Sequence, residues 1–410
     1  MAALPTQISV GSHVQNCIAM NTIVDTDRHV CEPISMWKER MPKEYHAYLP
    51  ELRHDNEMAD FARRMLSYGQ HGGIPIIPEN YSNGVPLYNK FIEPIRLEAS
   101  HLVAKDPGRT QKAANPLGQL ENMDANGIGV ALIYPGDANY LINNDNVPAE
   151  VSEAFADAYC DWIAEYCAAD PERLIPLGVA SRHTPEALLR GAKKVIERGW
   201  RNILLRPEVI MGYGLAHPDF EPFWALCEAH QVSVCIKGGT HLHGTTAGLD
   251  RFDTHFGLHA CSHYMEAHMA FLTLLEGGVL ERYPKLKVAF MEAGASWLPA
   301  WLWRLDHVCY EQMPMEISHH IKMLPSEYFK RQCWIAFEME EPGLRTLIDT
   351  VGVDKLLWGT DFPHFDHEDE EVEGMTHPEL SAEEIRIIQR ENPRAFFNLA
   401  PVASYSDTKA

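Results

Sequence analysis

Three acids and three imidazoles, spread along the chain, have the types and spacings of a metal site. Asp27 and His29 stand two apart in "VDTDRHVCEP" (Val24 to Pro33), directly after the apolar pair Ile23-Val24. Alternate residues of a strand project to one face, so Asp25, Asp27 and His29 are expected to point the same way. In "HACSHYMEAH", His259, His263 and Glu266 are spaced by four and then three, which returns them to one side of a helix. An i, i+4 histidine pair can hold one metal ion. Glu292 in "KVAFMEAG" and Asp361 in "KLLWGTDFP" each follow a short apolar run. The donors Asp27, Glu292, Asp361, His29, His259 and His263 include no thiolate and are too many for one tetrahedral zinc. A carboxylate-bridged pair of divalent metals fits better. Such mixed oxygen and nitrogen donors suit iron or manganese, with zinc as the alternative.

Eight short β-branched or apolar runs must position these groups. They begin at Thr22, Gly129, Leu174, Arg201, Val232, Lys287, Cys333 and Lys355, and amphipathic helical patterns lie between them. "TPEALLRGAKKVIERG" is such a pattern, with Thr184 as its N-cap and Gly199 closing it. Eight strand–helix units predict an α/β fold, a (β/α)8 TIM barrel forming a single domain over 1–410. A long Pro-, Gly- and Asn-rich excursion after the first strand, 37–126, is expected to form a cap or a subunit contact. In such a barrel the C-terminal strand ends face the active-site mouth. Read in order, those positions give Asp27 and His29, His183, Arg206, Lys237, Glu292, Glu338 and Asp361.

Asp-x-His ending the first strand and "GTDFPH" (Gly359 to His364) ending the eighth resemble the amidohydrolase superfamily. More narrowly they resemble its amidohydrolase-related branch, which contains aminocarboxymuconate semialdehyde decarboxylase. "FMEAGASWLPAWLWRLD" and "MLPSEYFKRQCWIAFE" strengthen the likeness. The resemblance implies a metal-dependent TIM barrel. It also implies a single-zinc set with His-x-His on strand one, histidines on strands five and six, and an aspartate on strand eight. This sequence departs from that set at Asp27, Lys237 and Glu292, and only His29 and Asp361 match it. The carboxylate-rich result is similar to the dinuclear oxygenase branch, that of the 2-aminoisobutyrate hydroxylase large subunit.

From these readings the chain is expected to be a dinuclear iron/manganese monooxygenase that hydroxylates a small carboxylate- or amine-bearing substrate. Dioxygen and an external electron donor would be needed, since no flavin or iron–sulfur signature is present. Glu292, Asp361 and Lys237 are the expected catalytic groups; Arg206, His183 and His243 are expected to contact substrate. Lys237 could be a carbamylated bridge, or an ammonium that grips a carboxylate. The alternatives are a metal-dependent hydrolase or decarboxylase with the same ligands activating water, or an inactive metal-binding subunit of a heteromer. A homo-oligomer, or a hetero-oligomer with a related barrel subunit, is expected. Thirty-five basic against 57 acidic residues, a net charge of −22, argue against nucleic acid or an anionic membrane as partner. Nine cysteines without a C-x-x-C pair, no basic-then-apolar leader in "MAALPTQISV" and no long apolar run make a cytoplasmic protein the expectation.

Overall fold

The computed structural model describes residues 23–53, 79–82, 85–86, 108–239, 245–252, 255–364, 372 and 375–399. Eight parallel strands form the barrel: β1 Val24–His29, β2 Val130–Tyr134, β3 in two pieces (Leu174–Pro176 and Gly178–Val179) and β4 Asn202–Leu205. β5 Ser233–Lys237, β6 Lys287–Met291, β7 Cys333–Ala336 and β8 Leu356–Leu357 complete it. Each pairs with the next in chain order, β3 using its first piece toward β2 and its second toward β4. The ring closes where the chain beyond β8 returns to β1. There Thr26 N donates to Trp358 O (3.2 Å), Asp361 N to Asp27 O (2.8 Å) and His29 N to Phe362 O (2.6 Å). The expected fold class is therefore the observed one. Strands covered on both faces need apolar side chains throughout, and β2, β4, β6 and β7 carry such runs as "VALIY" and "NILL".

Helices cover the outside. Pro185–Glu197 starts where predicted: Thr184 Oγ1 accepts from Ala187 N (3.1 Å), and Pro185 takes the first helical position. Gly199 ends it with φ +86°, a conformation that favours glycine. The neighbouring helix Ala149–Cys167 runs parallel to it. Glu153–Arg190, Asp157–Lys194 and Asp161–Arg198 pair across the two at a constant offset. These are solvent-facing rungs, each worth well under about 1 kcal/mol, so packing rather than charge fixes the helices.

One departure from a regular strand shapes the site. β1 slips register against β2 between Asp25 and Arg28, a bulge that breaks the simple alternation. Asp25, Asp27 and His29 thus do not share a face, contrary to the strand reading. Asp25 instead accepts from Thr360 N (2.9 Å), Thr360 Oγ1 (2.6 Å) and Arg28 Nη1 (3.3 Å). Arg28 is fully buried, donates to Gln119 Oε1 (3.2 Å) and to Asn122 Oδ1, and lies over the Phe362 ring. Gln119 and Asn122 belong to helix Pro116–Ala125, so the end of the predicted excursion braces β1. Within that excursion Glu51–Arg53, Glu79–Ser82 and Val85–Pro86 pair as a small antiparallel sheet. Gly359 lets β8 approach β1: a Cβ there would lie 2.6 Å from Asp27 N and 2.5 Å from Asp27 Cβ. Gly359→Ala is expected to cost about 1–3 kcal/mol, read as a lower melting temperature. An unchanged melting temperature would show that the closure tolerates a wider gap.

Candidate metal centre

β5 ends at Lys237, whose side chain is 3% exposed at the centre of the barrel mouth. Its Nζ lies 2.6 and 2.7 Å from the two Asp27 oxygens, 2.7 Å from Glu292 Oε2 and 3.0 Å from Asp361 Oδ1. His29 Nε2 is a further 2.7 Å neighbour. These partners come from the ends of β1, β6 and β8, brought together by barrel closure. A buried lysine without such partners would carry a desolvation cost of several kcal/mol. Here burial opposes its charge, but Asp27, Asp361 and Glu292 hold Lys237 well above its usual range. The group is an ammonium.

Glu292 and Asp361 each turn one oxygen to this ammonium and the other away from it. Glu292 Oε1 lies 3.4 Å from His263 Nδ1, and Asp361 Oδ2 lies 2.6 Å from His364 Nδ1. Both acids have left-handed backbone, φ +48° and +52°. Non-glycine residues pay for that conformation, and it persists where surrounding structure enforces it, often at functional sites. The enforcing contacts are visible. Glu341 takes the N–H groups of Ala295 (2.7 Å) and Ser296 (2.6 Å), pinning the turn after Glu292. Asp361 is pinned by its backbone bond to Asp27 and by Thr360.

His29 Nδ1 lies 2.7 Å from Pro135 O and is assigned the proton, so Nε2 is the nitrogen that faces the cluster. One oxygen each from Glu292 and Asp361 and one nitrogen each from His29 and His364 lie within 4.8 Å of one another. Two carboxylates and two imidazoles without thiolate are the donors of a manganese, iron or zinc site. Burial, then Lys237, opposes charging His29, but hydrogen bonds to Asp27 and Asp361 override both and raise it to about 9. Burial and Asp361 oppose ionisation of Glu292, yet Lys237 and His263 bring it to about 2. Burial likewise opposes the Asp361 charge, and His364 and Lys237 hold it well below the usual carboxylate range. The residues fit a bound divalent metal.

The remaining predicted groups lie elsewhere. The helix carrying "HACSHYMEAH" breaks at His263, into His255–Ser262 and Tyr264–Glu276. His259 is consequently exposed, its ring 5.0 Å from that of His263, and it falls outside the four converging donors. Glu266 turns inward and accepts from Ala247 N (2.6 Å). Arg206 is fully buried; it grips Glu208 with two nitrogens (2.6 and 3.1 Å) and donates to the Gly238 and Gly239 carbonyls. Its fork therefore fixes the turn behind Lys237. His183 is buried with Nε2 2.9 Å from Asn144 O. Glu338 is exposed beyond β7, and His243 lies outside the described residues. Sequence reading missed His364 and Glu341. "GTDFPH" contained His364, three residues after Asp361 and thus on its side of a turn; nothing in "EMEEPG" singles out Glu341 from its neighbours. Among the described residues one group of four donors converges, and Lys237 occupies Asp27.

Residues 25–399 match the family described as Amidohydrolase. Over 204 residues the chain is 26% identical to the 2-amino-3-carboxymuconate-6-semialdehyde decarboxylase of Dictyostelium discoideum, covering 50% of this chain and 55% of that one. It thus spans about half the length of that curated relative. An amidohydrolase from Mycobacterium avium subsp. paratuberculosis superposes with a TM-score of 0.70 at 20% identity, over 92% of this chain and 99% of the other. A 5-carboxyvanillate decarboxylase from Novosphingobium aromaticivorans with bound manganese gives 0.63 at 18%, over 92% and 97%. The relatives named for a reaction are decarboxylases. That overturns the expected dioxygen-using hydroxylase, and with it the oxidoreductase class and the likeness to the oxygenase branch. Carboxylate-rich donors were read as redox ligands, whereas the extra acids here neutralise an internal lysine.

Two outcomes follow from this geometry. His364→Ala is expected to weaken manganese binding by about 10-fold or more, and His259→Ala to leave it within about threefold, measured by calorimetry. Equal losses in the two variants would put His259 back in the site. Glu266 is raised to about 7, chiefly by burial and then by Glu208. Between its ordinary pKa and about 7 the folded state keeps a proton that the unfolded state has lost, so this residue makes stability fall as pH rises. Glu266→Gln should flatten that part of the denaturation profile; an unchanged slope would show the carboxyl already ionised.

Proposed function

This chain belongs to the amidohydrolase family, and from that membership we propose that it is a metal-dependent decarboxylase of a small carboxylic acid whose carboxyl group is borne by an unsaturated carbon. The observation that carries the reading is the convergence of His29, Glu292, Asp361 and His364 beside a fixed ammonium at the barrel mouth. The named reactions of the muconate-semialdehyde and carboxyvanillate relatives support it, each removing a carboxyl group from such a carbon. The site is read as holding one divalent ion, with manganese or zinc suiting the donors.

A divalent ion held there supplies positive charge to oxygen atoms of the substrate, which lowers the cost of moving the electron pair of the breaking carbon–carbon bond. The protein's own groups do the rest. Lys237 neutralises Asp27 and the inner oxygens of Glu292 and Asp361, so the acids do not repel an anionic substrate as a full set of three would. His263, partly buried with Nδ1 3.4 Å from Glu292 Oε1, is assigned as the group that would supply the proton replacing the carboxyl group. The reaction balances as a carboxylate plus a proton giving carbon dioxide and a carbon–hydrogen bond. Glu341, through Ala295 and Ser296, keeps Glu292 in place.

Manganese-loaded protein incubated with 5-carboxyvanillate and related ortho-hydroxybenzoates is expected to release one carbon dioxide per product formed. Asp361→Asn should lower kcat/KM by about 100-fold while the melting curve still reports a folded barrel. A metal-replete protein that releases no carbon dioxide from any of this panel would count against the proposal.

A further inference from the structure

Three residues beyond His29, in "HVCEP", Glu32 is an acid buried outside the metal cluster, 8% exposed. Its two oxygens take three successive backbone N–H groups of the loop after β2. Oε1 accepts from Gly136 (2.9 Å) and Ala138 (3.4 Å), and Oε2 accepts from Asp137 (3.0 Å). Burial, and then the charge of Asp137, push this carboxyl up to about 8, while backbone N–H groups, those of Gly136 and Ala138 among them, pull it down. Its oxygens keep lone pairs for these donors in either protonation state. The Gly136 N–H belongs to the same peptide as the Pro135 carbonyl, whose oxygen lies 2.7 Å from His29 Nδ1. That peptide is trans, so its N–H and C=O point to opposite sides. Glu32 and His29 therefore grip the two edges of one rigid plane. Glycine is what lets the plane sit so close, because a Cβ on residue 136 would lie 2.5 Å from Val30 O and 2.9 Å from Glu32 Oε2.

We propose that Glu32 is a positioning residue for the metal centre: by holding the Pro135–Gly136 peptide it keeps the Pro135 carbonyl on His29 Nδ1, and so keeps Nε2 as the nitrogen offered to the ion. This role rests on the metal assignment above and not on the reaction assigned to it. A carbonyl oxygen only accepts, so an imidazole nitrogen bonded to it must carry hydrogen. A neutral imidazole has one such hydrogen, and fixing it on Nδ1 leaves the Nε2 lone pair for a metal. Were the peptide to rotate, Nδ1 would lose its acceptor and the hydrogen would be free to move to Nε2, where it blocks ligation. The bonds also reinforce one another. A carboxyl that accepts from the peptide N–H polarises the C=O on the other side, which makes it a better acceptor for Nδ1–H and makes Nε2 a stronger ligand. Glu32 is not among the four converging donors, so its effect on the ion passes through this peptide.

The test reads manganese affinity and the His29 Nδ1–H together. Full-length native protein, Glu32→Ala and Glu32→Gln would be titrated with manganese by calorimetry and melted with and without it. Zinc-loaded and metal-free samples with isotopically labelled histidine nitrogens would then be followed by NMR for exchange of the Nδ1–H, identified by its absence from His29→Gln. Glu32→Ala is expected to weaken manganese binding by about 10-fold or more and to speed Nδ1–H exchange by about as much. Glu32→Gln keeps one acceptor oxygen for the Gly136 N–H and should weaken binding by only about threefold. A merely structural role would lower the melting temperature equally with and without manganese; the positioning role predicts that Glu32→Ala also gains less from manganese than native protein does. A folded Glu32→Ala with native manganese affinity, or with native Nδ1–H exchange, overturns the proposal. Should Glu32→Ala fail to fold, Glu32→Gln decides in its place, and unchanged affinity with unchanged exchange overturns it. A native chain that binds no manganese sinks the metal reading instead, and Nδ1–H exchange in metal-free protein still shows whether Glu32 holds His29. Absence of carbon dioxide release touches only the assigned reaction.

Discussion

One buried ammonium among three carboxylates is the interaction on which the site depends. Lys237 lies where β1, β5, β6 and β8 meet, and its charge lets Asp27, Glu292 and Asp361 stand within hydrogen-bond distance of a single atom. In a low-dielectric barrel mouth like charges at that separation repel strongly. Without the lysine, the acids would protonate or separate. With it Glu292, at about 2, and Asp361 are held in their ionised forms, the charge that a divalent ion is drawn to.

The barrel makes this possible by closing at the same place. β1 and β8 do not simply pair; Gly359 allows the strands to touch at Asp27, and Asp25, Arg28 and Thr360 bind the two ends together. The bulge in β1 sends Asp25 to that brace and leaves Asp27 and His29 for the site. Strain is stored at the same point, with Glu292 and Asp361 both in left-handed backbone held by Glu341 and Thr360. Fold and site share these contacts, so damage to the closure also damages the ligand geometry.

The barrel was legible because eight buried parallel strands leave eight near-continuous apolar runs, and Thr184 and Gly199 mark a helix by local chemistry alone. Asp27, His29, Glu292, Asp361 and Lys237 were legible as strand-end residues. What could not be read is where long-range geometry overrides local pattern. A register slip in β1 is invisible in alternation, and the break at His263 that exposes His259 has no glycine or proline to signal it. Arg206 looked like a carboxylate fork and is one, but for Glu208. The mistaken hydroxylase expectation has the same root. Counting acids as ligands ignored that a lysine from β5 uses up part of their charge.

The most direct test of this account is a crystal structure of manganese-loaded protein with anomalous scattering recorded at the metal edge. The account predicts one anomalous peak per chain against His29, Glu292, Asp361 and His364, with Lys237 Nζ still bonded to Asp27. Two peaks, or one peak at the Nζ position with Lys237 swung away or carbamylated, would contradict it.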